Sequence, residues 1–148
     1  MARLSWHRKG LTVDEFLHTK DSAIVRGAKA GDGPGYTLEA IAVRISHDIT
    51  EARKREDLPA YTRTVVTVLP WQRMLHIRVE GFDTVPARAT SRAVITTLFD
   101  LVSTYNIIPL DSVELPLFTQ HIVLVDSFGQ PFAAIVGAGA GEVEPVMQ

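Results

Sequence analysis

The stretch Tyr61–Phe82, YTRTVVTVLPWQRMLHIRVEGF, constrains the fold most. From Arg63 to Leu69 the residues are mostly β-branched or large and apolar, and such side chains fit a pleated surface better than a helix. From Met74 to Glu80 the chain alternates strictly. Leu75, Ile77 and Val79 fall on one side, and Met74, His76, Arg78 and Glu80 on the other. A period of two with one apolar side describes a half-buried antiparallel strand. Pro70 lies between the two runs, which places a tight turn at Pro70-Trp71-Gln72-Arg73. A hairpin over about 63–80 is therefore expected at the centre of a sheet.

A second hairpin is expected over about 121–137, HIVLVDSFGQPFAAIVG. Ile122–Val125 is an unbroken apolar run, which asks for cover on both faces. Asp126-Ser127-Phe128-Gly129 supplies the turn, with Gly129 free to take positive φ. The pattern resembles the hairpin of profilin-like and PAS-like ligand domains. That resemblance implies a small-molecule-sensing regulatory domain, with a pocket expected among Phe118, Phe128 and Phe132.

Two long helices are expected to pack on the sheet. In Tyr36–Leu58, the residues Leu38, Ile41, Ile45, Ile49 and Ala52 recur at helical spacing and make one apolar face. Thr37 is the expected N-cap, Glu39 sits in the first turn, and Arg53, Lys54 and Arg55 suit the dipole near the end. Pro59 is the expected stop. From about Val85 to Tyr105, Pro86 sits in a first turn capped by Thr84 or Asp83. Val94, Leu98, Leu101 and Tyr105 make one stripe of that helix, and Ile95, Phe99 and Val102 make another.

The flanks are less regular. Residues 1–11 read as an arm, and Thr12-Val13-Asp14-Glu15 matches the capping box of a short helix ending near Lys20. Ala23-Ile24-Val25 suits a brief strand. Residues 106–118, NIIPLDSVELPLF, are apolar but broken by Pro109 and Pro116, so Val113, Leu115 and Leu117 suit an edge strand. The tail, about 138–148, reads as extended. The expectation is one α+β domain over 12–148, an antiparallel sheet of two hairpins with helices packed on it.

Composition narrows the function classes. A length of 148 residues suits one domain, and the 46% apolar content suits a sizeable core. The absence of cysteine excludes disulfides and thiolate metal sites. No apolar run approaches a membrane span of about 20 residues. The first residues lack the apolar core of a secretory signal, so a cytoplasmic or particle-bound location is expected. A pI of 6.2 argues against nucleic acid as a partner.

The net charge of −2 conceals a gradient. Residues 1–30 carry six Lys/Arg against three Asp/Glu, whereas residues 109–148 carry five Asp/Glu and no Lys/Arg.

The apparent catalytic motifs lack the geometry their chemistry needs. Ser46-His47-Asp48 are consecutive, and consecutive helical residues point about 100° apart, so they cannot form a relay. The five histidines, His7, His18, His47, His76 and His121, lack the short spacings of a local metal site. Gly31-Asp32-Gly33-Pro34-Gly35 precedes a helix but lacks the Lys-Ser/Thr of a phosphate loop, and Asp32 would repel phosphate. Gly137-Ala138-Gly139-Ala140-Gly141 leaves only seven residues after it, too few for a dinucleotide fold.

No cofactor or metal is therefore expected, and no catalytic residue. The reading that follows is a non-enzymatic assembly subunit of a homo-oligomeric or multi-protein particle, such as a phage head–tail or tail component. Its expected partners are copies of itself or other protein subunits. Its expected contacts are Arg3, Leu4, Trp6, Arg8 and Lys9 in the arm, Trp71 in the first hairpin turn, Leu115, Leu117 and Phe118 before the second hairpin, and Glu142 and Glu144 in the tail. Trp71 at a tight turn is either tucked over the core or offered to a partner. The alternatives are the sensing domain, or a small enzyme with a dispersed site including His76, His121 and Asp126.

Overall fold

The computed structural model describes residues 24–31, 36–109 and 115–139. The expected arm, the short helix near 12–20 and most of the tail lie outside the described residues. The elements run β1 (Ile24–Arg26), α1 (Leu38–Lys54), β2 (Arg63–Leu69), β3 (Met74–Glu80), α2 (Val85–Arg88), α3 (Ser91–Ser103), β4 (Ile107–Pro109), β5 (Thr119–Val125) and β6 (Pro131–Gly137). The fold is α+β, a four-stranded sheet in the order β2-β3-β5-β6 with helices packed against it.

Both hairpins form. β2 and β3 pair antiparallel from Arg63↔Glu80 to Leu69↔Met74, and β5 pairs antiparallel with β6. The sheet as a whole corrects the antiparallel expectation, because β3 and β5 run parallel, with His76 opposite His121. A parallel neighbour requires a long crossover, and α2, α3 and β4 supply it. Alternation within a strand says which face a residue takes; it does not say in which direction two hairpins join.

The alternation itself is obeyed. Leu75, Ile77, Val79, Ile122 and Leu124 are fully buried and share a core with Ile41, Ile45, Ile49 and Leu98. Val123 and Val125, on the other side of β5, are also buried, as the unbroken apolar run required. Truncating one of the fully buried aliphatics removes both transfer energy and packing, about 2–5 kcal/mol.

Helix ends follow their caps with two departures. Thr37 Oγ1 accepts from Ala40 N at 3.1 Å and starts α1. The helix stops at Lys54, before Pro59, because Glu56 enters the left-handed region at φ 66° and the Asp57 amide turns back to Ala52 O. Thr84 Oγ1 accepts from Ala87 N at 3.1 Å and starts α2. The single helix expected over Val85–Tyr105 is broken at Ala89–Thr90. There the Ala87 carbonyl accepts from Thr90 N, Thr90 Oγ1 and Tyr61 Oη, in place of the amide four residues on. Local side-chain hydrogen bonds of this kind compete with helix continuation.

The segment 106–118 also departs from expectation. Its described strand is Ile107–Pro109, which pairs antiparallel with β1 in a separate two-stranded sheet. Leu115–Leu117 is not strand, and Val113 lies outside the described residues. Asn106 fixes this corner. It is fully buried, its amide nitrogen donates to Phe118 O at 2.9 Å, and its amide oxygen accepts from Ile107 N and Phe118 N. One side chain thus joins the exit of α3 to the start of β5.

Candidate assembly surface

The parallel join puts the two hairpin turns at opposite ends of the sheet. At one end, Pro70–Gln72 forms a single 3-10 turn, and Arg73 closes it in the left-handed region at φ 50°, with its amide donating to Pro70 O. Arg73 then ties the turn to the chain ahead of β5. Its guanidinium donates to Pro116 O at 2.5 Å and to Leu117 O at 2.9 Å, and its carbonyl accepts from Thr119 N at 3.0 Å. Burial lowers the Arg73 pKa to about 10, which leaves the group charged at neutral pH.

This clamp decides the fate of Trp71. The side chain is 98% exposed on a turn that four hydrogen bonds through Arg73 tie to the neighbouring segment. Leu115 is 50% exposed in the segment that the clamp draws alongside. The turn that carries Trp71 and the segment that carries Leu115 and Leu117, more than forty residues later in sequence, therefore lie at the same end of the molecule. Leu117 is half-buried against the core. Phe118 is fully buried, which corrects its expected place on the surface. The asparagine contacts that pin its backbone turn its ring inward. Arg3, Leu4, Trp6, Arg8, Lys9, Glu142 and Glu144 lie outside the described residues.

The opposite end carries a polar cleft of about 240 Å³ that includes Arg63, Arg78, Glu80, Asp83 and Asp126. Arg78 Nε lies 3.1 Å and Arg63 Nε 3.7 Å from the Glu80 carboxylate. Asp126 organises the turn beside it, accepting from Phe128 N and Gln130 N, and Gly129 takes φ 78° as its turn position requires. Phe128 projects from that turn, 86% exposed. The sequence carried a signal for this cleft. A tight hairpin turn sets the register that brings Arg63 beside Glu80.

The residues of the alternative readings do not converge. His76 and His121 meet edge to face at 5.0 Å. Asp126 lies five residues along the strand, roughly 16 Å away, and pairs with Arg88 at 3.6 Å. Phe118 is in the core, Phe128 is exposed, and Phe132 packs on Phe82 and under Arg88.

A larger cleft of about 520 Å³ beside α1 and α3 holds Asp48, Lys29, Asp57 and Asp100. In it Asp48 accepts from Tyr105 Oη at 2.5 Å and from Lys29 Nζ at 3.0 Å, and Tyr36 Oη donates to Tyr105 O. Burial acts to raise the Asp48 carboxyl, but the Tyr105 and Lys29 donors outweigh it and hold the pKa below the usual value. Burial and the Asp48 charge push the Tyr105 hydroxyl upward. The pair is thus held as carboxylate and phenol at neutral pH, far from the poise that proton transfer needs. It acts as a tie between α1 and the end of α3.

Among the described residues no group of three or more His, Asp or Glu is placed to hold a metal ion, and no helix is long and apolar enough to cross a membrane. No family profile, curated protein or solved structure matches the chain.

Proposed function

We propose that the protein is a non-enzymatic assembly subunit of a homo-oligomeric or multi-protein particle, of the kind found in phage head–tail or tail structures. One observation carries this reading: Trp71 stands almost wholly in solvent on a turn that Arg73 ties by hydrogen bonds to the chain before β5. Covering a tryptophan returns on the order of 4 kcal/mol by area before association costs. A pre-formed turn also loses little freedom on binding. Leu115, 50% exposed in the segment that Arg73 holds, adds apolar surface at the same end.

The test is native mass by light scattering, in low and high salt, for the wild type and Trp71→Ala. An assembled wild type and a smaller variant of unchanged melting temperature support the reading. A wild type that stays a strict monomer in both salts overturns it.

A further inference from the structure

We infer that the partner of Trp71 is the polar cleft at the far end of a second copy, so that copies join head to tail. The inference rests on the assembly reading and names its contact. β3 separates the two surfaces. Its seven residues begin beside the Trp71 turn and end at Glu80 in the cleft. An extended strand of that length spans roughly 20 Å. One copy therefore cannot bring its own Trp71 into its own cleft.

The chemistry of the two ends is complementary. A tryptophan face attracts cations more strongly than any other aromatic, and guanidinium planes stack on it. The cleft offers Arg63 and Arg78, both substantially exposed and turned toward the same carboxylate. A buried indole also needs an acceptor for its one N–H. Glu80 and Asp83 supply carboxylate oxygens in the same cleft. Ser127 and Gly129 also line the cleft, and Phe128 between them in sequence is 86% exposed on the same turn. At 240 Å³ the cleft can admit an indole but no whole element of structure.

Such a contact is heterologous. Each copy uses one surface to give and another to receive, so repetition closes a ring or extends a filament. A symmetric contact of Trp71 with Trp71 would leave the arginines unused and stop at two copies.

The chain contains no cysteine, so single-thiol variants report contacts without background. Gln72→Cys places a thiol beside Trp71 while keeping the indole, and Ser127→Cys places one at the rim of the cleft. The two variants are mixed, treated with a short bis-maleimide, and the linked peptides are read by mass spectrometry. The expected product joins position 72 of one copy to position 127 of another. It is expected in the mixture alone, and to be lost when Trp71→Ala is added to the first variant. Native mass of both variants is measured alongside, so that a folding or assembly defect is seen directly.

If the protein assembles but links only 72 to 72, or gives no 72–127 product, the head-to-tail contact is wrong and the assembly reading survives. If the wild type is monomeric, both fall.

Discussion

On β3, Leu75, Ile77 and Val79 have no exposed surface, while Met74, His76, Arg78 and Glu80, each one residue away, remain half-buried or exposed. The difference is mainly one of cover. The helices pack on the first set, and the second set belongs to a face on which Val65 is 54% and Val136 61% exposed, although Val123 in the middle of the sheet is buried there. Both faces obey the same alternation. The buried face sets stability, while the other face and the two ends leave large side chains in solvent. A one-residue register slip would exchange the two sets, which is why the buried face specifies the register so strongly.

The largest expected effect is on the covered face. Ile77→Ala should lower the unfolding free energy by about 2–5 kcal/mol, read from denaturant midpoints. An unchanged midpoint would break the distinction between the faces.

Next is the point where β3 ends. Gly81 has φ 114°, and a Cβ there would lie 2.2 Å from Tyr61 O. Gly81→Ala should therefore cost roughly 1–3 kcal/mol from strain alone, with further loss as the strand end shifts. A neutral substitution would show that the close approach to Tyr61 is dispensable.

A smaller effect is expected from His76 on the uncovered face. Burial, then His121 and Arg78, lower its pKa in the folded protein. The folded chain then takes up this proton less readily than the unfolded chain, whose histidines titrate near 6.5. Stability should fall as pH drops below about 6.5, and keep falling until the folded pKa is passed. His76→Gln should flatten that slope in thermal melts between pH 7 and 5. A steeper slope in the variant would reverse the assigned sign.

The smallest effect is expected at Val65. Val65→Thr should change stability by less than about 0.5 kcal/mol, as exposed substitutions do. A cost several times larger in the assembled protein would show that another copy covers this face.

Much of the fold was legible in the sequence. Local periods marked both hairpins and the buried face of α1. The caps at Thr37 and Thr84 and the Asp126–Gly129 turn followed from hydrogen bonds made within a few residues. The candidate surface was half legible. A tryptophan in a tight turn and an apolar segment interrupted by prolines were visible as separate features. Their meeting depends on Arg73, which reads as an ordinary turn cation until its guanidinium is found on carbonyls more than forty residues away.

The sequence by itself determined which residues of each strand and helix face inward, because that choice depends on spacings of two, three and four along one segment. Only the tertiary structure decided that β3 and β5 run parallel, that Phe118 turns into the core, and that Trp71 stands opposite a cleft on the far end. Those outcomes depend on contacts between distant segments. The energies that choose among them, such as Asn106 on the backbone of Phe118, belong to pairs that no local pattern records.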